Sequence, residues 1–212
     1  MGKITPVDPQ RIFDEISILF PDAKCELNYG TDLQLLISIM LSAQTTDISV
    51  NKVTPELFRR FPTLDAFIAA DITEIEALIK HLGLFRSKAK NIKATVDKIS
   101  ETYGGLIPCT QDELESLSGV GRKTANVYLS EWHKIPRIAV DTHVKRVSVR
   151  LGLAADTDTP EKVELKLMKQ FPEEKWIELH HKLIFFGRYF CKAAKPDCKI
   201  CPLLSVCKKP LI

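Results

Sequence analysis

The chain has 212 residues, of which 45% are hydrophobic and 27% charged, with a formal net charge of +3. That length supports one large domain or two small ones, and the composition is that of a globular protein rather than a disordered or fibrous one. The longest strongly apolar run, about Leu35–Leu41, falls far short of the roughly 20 residues of a membrane span.

The periodicity is helical nearly throughout. Asp8 can cap a helix with Pro9 at its first position, and Ile12, Ile16 and Phe20 recur at helical spacing. Thr31 can cap a second helix, with Leu33, Leu36, Ile37 and Met40 on one face. Asp71 with Glu74, and Thr110 with Glu113, each fit a capping box. Gly83 and Gly104-Gly105 fall where helices should stop. Between them Ile92, Val96, Ile99 and Tyr103 repeat about every four residues, while Arg86, Lys88, Lys90 and Lys93 read as a solvated face that could also graze a nucleic-acid backbone. Thr159-Pro160 opens a helix carrying Val163, Leu167 and Phe171. Ile138–Val140 is a short apolar stretch without strand alternation. His180-His181 should point apart, as neighbours on a helix do, and Trp132 and Trp176 read as packing residues. The expected class is all-α, with about ten short helices.

Met1–Pro6 shows no apolar secretory stretch. It also fails the myristoylation pattern, because Pro6 stands where Ser or Thr is required. A reducing, cytosolic compartment is expected.

Residues 117–125 read Leu-Ser-Gly-Val-Gly-Arg-Lys-Thr-Ala. Gly119 and Gly121 would permit backbone angles closed to other residues. The following helix start adds unpaired N–H groups and the positive dipole end, a corner suited to a phosphate oxygen. The alternative is a plain helix–turn–helix corner. Lys123 lies in the first turn of that helix beside Arg122. Dipole and neighbouring cation both favour a neutral amine, which could form a Schiff base; the simpler role is phosphate binding. Eighteen residues on, Asp141 opens a helix with Val144, Val147 and Leu151 as its buried stripe. Asp141 is a good N-cap, and the same carboxylate could serve as a base or oppose positive charge.

Four cysteines, Cys191, Cys198, Cys201 and Cys207, follow the spacing C-x6-C-x2-C-x5-C. Disulfides suit secreted chains. A closed zinc site and an iron–sulfur cluster both need four thiolates, and the ligand set alone does not choose between them. Cys25 and Cys109 are isolated. Residues 187–212 hold six cations (Arg188, Lys192, Lys195, Lys199, Lys208, Lys209) against one acid, Asp197, a net +5 that leaves −2 for the remainder. The tail is a basic module on a near-neutral body, suited to phosphate contact.

With these motifs the chain resembles, almost end to end, the endonuclease III family of DNA glycosylases in the helix-hairpin-helix superfamily. The landmarks are Leu41-Ser42-Ala43-Gln44-Thr45-Thr46-Asp47, Gly83-Leu84, the hairpin, Val140-Asp141-Thr142-His143 and the cysteine tail. The resemblance implies a [4Fe–4S] cluster on the four cysteines, and it is the resemblance that decides iron–sulfur over zinc. It implies two helical lobes flanking a DNA-binding cleft. One is a six-helix barrel at 25–135 with the hairpin at about 111–130; the other is a discontinuous domain of 1–24 plus 136–212 with the cluster at 191–207. It implies Lys123 and Asp141 as catalytic residues, Gln44 as filler of the gap left by a flipped nucleotide, and Leu84 as a wedge on the opposite strand. Gly119, Gly121 and Arg122, with Lys192, Lys195 and Lys199, would contact DNA. The expected partner is damaged double-stranded DNA, bound by a monomer in a bacterial or archaeal cytoplasm with no membrane involved. One departure is Ser118, where the family's hairpin usually has proline; the lost φ restriction weakens turn rigidity by up to about 1 kcal/mol.

The expected activity is excision of oxidised or ring-saturated pyrimidines through a lysine Schiff base, then strand cleavage 3′ to the abasic site by β-elimination. Monofunctional relatives carry serine or tyrosine where this chain has Lys123. A binding module that catalyses nothing would leave Lys123 and Asp141 coincidental. An electron carrier does not need so large a helical body.

Overall fold

A computed structural model describes residues 8–210, and the stretch Met1–Pro6 lies outside them. The chain divides into two compact units: Glu26–Ile135, and Met1–Cys25 with Pro136–Ile212. The described residues are helical and contain no strand. Ile138–Val140 is buried and lies outside the helices.

The unit Glu26–Ile135 holds α2 (Asp32–Leu41), α3 (Asp47–Arg60), α4 (Leu64–Ala69), α5 (Ile72–Ile79), α6 (Phe85–Tyr103), α7 (Gln111–Glu115) and α8 (Arg122–Glu131). Helix α2 is its centre. Thr31 caps it, its hydroxyl oxygen accepting from the Gln34 N–H. The expected four-residue stripe understates its burial, since every residue from Leu35 to Leu41 is buried. A helix apolar all round belongs inside a core, and α2 packs on α3, α6 and α8. Asp71 and Glu74 form the full capping box of α5. At α7 the Thr110 hydroxyl oxygen accepts from the Glu113 N–H, while the hydroxyl donates to the Glu113 carboxylate at 2.6 Å.

The second unit contains α1 (Pro9–Leu19), α9 (Thr142–Arg150), α10 (Pro160–Gln170) and α11 (Trp176–Phe185). Asp8 and Thr159 cap α1 and α10 ahead of Pro9 and Pro160, where a missing N–H costs nothing. The core joins Ile12 and Ile16 to Val144, Val147, Leu179, Leu183 and Phe186. Leu203 and Val206 of the tail are buried in the same cluster. His180 and His181 are both buried, their rings edge-to-face with centroids 5.0 Å apart, so they do not diverge as adjacent helical positions suggest. After α11 the helix widens into a π segment, Phe186–Phe190, that ends at Cys191. No helix among the described residues is long and apolar enough to cross a membrane.

Candidate functional site

The hairpin joins α7 to α8. Gly119 takes a φ of 76°, open to glycine and strained for other residues. A Cβ there would stand 2.6 Å from the Asn91 amide nitrogen, so Gly119 is required twice over. Gly121 differs from expectation: its φ of −100° and ψ of 179° are ordinary extended backbone. Nothing lies within 4 Å of a Cβ built there. Its value is the bare, open approach it leaves to the first N–H groups of α8, which have no side-chain cap. Lys123 sits in that first turn, exposed, its ammonium making no hydrogen bond or ion pair among the described residues. Arg122 beside it is half-buried. The Ser118 hydroxyl donates to Asn91 Oδ1 at 3.0 Å, and its carbonyl accepts from Thr95 Oγ1 at 2.8 Å, two bonds that tie the hairpin to α6.

Gln44 and Leu84 share an unusual backbone. Their φ values are 53° and 58°, left-handed conformations that cost a non-glycine residue about 1–3 kcal/mol and collect at functional positions. Leu84, not Gly83, takes the turn before α6 and is 59% exposed. Gln44 is exposed and its amide makes no hydrogen bond among the described residues. Each corner thus presents a side chain with nothing of its own to bind.

Sequence reasoning missed what holds these corners. Lys88, expected on a solvated face, is only 6% exposed, and its Nζ donates to Thr45 Oγ1 at 2.6 Å. Burial lowers its pKa below the usual lysine range. Lys93 likewise turns inward, donating to the carbonyls of Phe67 and Ile68. On the same face of α6, Asn91 and Thr95 reach Ser118, and Lys98 Nζ donates to the Ser116 carbonyl at 2.8 Å. The spacing 84, 88, 91, 95, 98 is one helical stripe. The signal was present as polar residues at helical period beside the apolar Ile92–Val96–Ile99 face.

Asp141 belongs to the second unit. It caps α9, its Oδ1 accepting from the Val144 N–H at 2.8 Å, while Oδ2 takes no hydrogen bond among the described residues. His143 is pushed below the usual imidazole range by burial, which outweighs the opposing pull of Asp141. Gly187 lets the π segment approach, for a Cβ there would come within 2.9 Å of the His143 Cβ.

Cys191, Cys198, Cys201 and Cys207 line one shallow, partly open pocket with Phe186, Phe190 and Leu204, and Arg150, Asp197 and Lys209 stand in its wall. Burial raises the thiols of Cys201 and Cys207, and the neighbouring cysteines add to the rise. No three Cys, His, Asp or Glu side chains among the described residues converge on a point that would hold one metal ion. Four thiols around a shared volume are a ligand set for a polynuclear group or for one zinc ion alike. Two arginines of α9, absent from the sequence reading, clasp this segment. Arg146 donates to the carbonyls of Gly187 and Cys191. Arg150 donates to Cys191 Sγ at 3.3 Å and to the carbonyls of Lys192 and Ala193. Lys192, Lys195 and Lys199 are exposed. Lys192 is paired with Asp197 at 3.5 Å, and Lys195 takes a left-handed φ of 53°.

Comparison with known proteins identifies the family. Residues 37–173 match the HhH-GPD superfamily of base excision DNA repair proteins. Endonuclease III of Bacillus subtilis is 48% identical over 196 residues, 92% of this chain and 90% of that protein. A chain solved as a trapped endonuclease III–DNA covalent intermediate, an estranged-adenine complex, is 48% identical. It superposes with a TM-score of 0.92 over 94% of this chain and 95% of its own. A thermostable thymine-DNA glycosylase, 20% identical, shares the fold with a TM-score of 0.85 over 95% of each chain. The chain therefore belongs to the endonuclease III family of the HhH-GPD superfamily.

Proposed function

We propose that this protein is a bifunctional DNA glycosylase and AP lyase of base excision repair, acting on oxidised or ring-saturated pyrimidines in damaged duplex DNA. The observation that carries the reading is a lysine at the mouth of the glycine hairpin, exposed and without a protein partner, in a chain of the endonuclease III family. Lys123 is neither paired nor packed, so its amine is open to a substrate.

A base inside the stack is out of reach, so the nucleotide is extruded at a cost of a few kcal/mol, least for a damaged base that stacks and pairs poorly. Gln44 fills the vacated gap and Leu84 wedges the opposite strand. The hairpin N–H groups at Gly119 and Gly121, with Arg122, hold a backbone phosphate, and Lys192, Lys195 and Lys199 add phosphate contacts. The Lys123 amine attacks C1′ as the glycosidic bond breaks and the base leaves with the bonding pair. Asp141 accepts the amine proton or opposes the cationic sugar. Opening of the sugar ring gives the Schiff base. Loss of a C2′ proton then expels the 3′ phosphate, cutting the strand 3′ to the site.

Cys191, Cys198, Cys201 and Cys207 are the residues that would hold a [4Fe–4S] cluster, whose chemistry here is that of a staple folding the basic tail. The pocket shared by the four thiols and the family of the chain support that choice, and a visible absorption spectrum tests it. Borohydride trapping on abasic duplex tests the central step. Wild type forms a covalent adduct and Lys123→Ala forms none, with strand nicking down at least about a thousandfold. An adduct retained in Lys123→Ala overturns the assignment.

A further inference from the structure

Lys88 joins the two corners that present Gln44 and Leu84. Its backbone N–H donates to the Leu84 carbonyl at 3.0 Å, closing the first turn of α6 under that corner. Its ammonium reaches 43 residues back along the chain to Thr45 Oγ1. The Thr45 hydroxyl in turn donates to the Ala43 carbonyl at 3.3 Å, so the bond spans Gln44 and clasps its loop from both sides. No carboxylate lies within ion-pair distance of Lys88 among the described residues. A buried cation with one neutral partner is expensive unless its geometry is used. Core packing does not need a charge there, because an unbranched apolar side chain of the same length would fill the space.

We propose that Lys88 is the positioning residue for duplex entry: it locks the Gln44 loop and the Leu84 corner into one rigid tool, so that both side chains enter the DNA in a single step. This inference rests on the roles proposed above for Gln44 and Leu84. Lys88 touches no reacting atom. It acts through Thr45 on one side and through the start of α6 on the other. The lock matters most when a paired base must be displaced and the gap held open. It matters less at a site that already lacks its base.

The test compares Lys88→Met, Thr45→Val and Thr45→Ser in the full chain. One substrate carries a ring-saturated pyrimidine in matched duplex, and the other carries a preformed abasic site. In single-turnover assays, Lys88→Met and Thr45→Val should lose about tenfold more in base excision than in abasic nicking, the scale of one buried charged hydrogen bond. Thr45→Ser, which keeps the hydroxyl, should restore excision. A 2-aminopurine opposite the lesion should brighten less when Lys88→Met binds than when wild type binds, which a merely destabilised protein would not show. The proposal is overturned if both steps fall by the same factor, or if Thr45→Ser is as impaired as Thr45→Val. The serine–valine pair decides the matter even if Lys88→Met does not fold. Wild type that fails to excise or trap would instead overturn the enzymatic reading itself.

Discussion

The hairpin at the start of α8 and the cysteine tail after α11 both expose cations, but they are held by different forces. The hairpin rests on a finished hydrophobic core: Leu114, Leu117, Val120 and Ala125 are buried around it, and α6 supplies side-chain hydrogen bonds from below. The tail between Cys191 and Cys207 has only a short 3₁₀ turn, Cys198–Ile200, of its own regular structure. Leu203 and Val206 anchor it at its far end, and its carbonyls lean on Arg146 and Arg150. The first region places its functional groups by burial. The second has little regular structure of its own, and the cluster proposed for its four thiols would supply what holds it.

Replacing Cys198 or Cys201 by Ser should break that contrast most strongly. Loss of a bound group is among the few changes that cost more than about 4 kcal/mol. The effect should stay within one unit: Trp176 fluorescence should report early unfolding in urea while Trp132, in the other unit, keeps its midpoint. A simultaneous shift of both would show that the two regions share one stability. Arg150→Ala should come next, destabilising the Trp176 unit by about 3 kcal/mol, because several charge-assisted bonds to the tail go at once. Arg150→Lys should recover only part of this, since an ammonium lacks the planar fork.

The glycines sharpen the other side. Gly119→Ala should cost about 2 kcal/mol in the Trp132 unit, from the positive φ and the collision with Asn91. Gly121→Ala, in ordinary backbone with open space, should leave the urea midpoint nearly unchanged and weaken duplex binding instead, read as a higher Kd at fixed salt. Equal stability losses at both positions would contradict the distinct roles assigned to them. The smallest effect is a pH dependence. Burial holds His143 in its neutral form, so its contribution is complete above the unfolded pKa of about 6.5 and is lost as pH falls through the lowered folded value. His143→Gln should remove about 1 kcal/mol or less of acid sensitivity, measured as the change in Trp176 urea midpoint between neutral and mildly acidic buffer.

Much of this molecule is written in short stretches of sequence. Helix starts at Asp8, Thr31, Asp71, Asp141 and Thr159 are legible because a cap is satisfied within three residues. The hairpin and the cysteine spacing are equally local, as is the position of Lys123 one residue into the first turn of a helix. Where the reading fell short, the partner was distant. Lys88 looks solvated until Thr45 arrives from 43 positions away, and Arg146 looks like an ordinary helical cation until the Cys191 carbonyl arrives from 45 positions later. Gly121 was credited with a backbone strain that Gly119 alone carries, because a glycine pair does not say which member turns the chain.

By itself, then, the sequence determined an all-helical chain, its caps, its hairpin and its set of four thiols. Those features are satisfied within a few neighbouring residues. The tertiary structure alone decided that α6 carries a polar stripe beneath two left-handed corners, and that α9 clasps the tail with two arginines. Burial and hydrogen-bond partnership across tens of residues are properties of packing, and no local pattern encodes them.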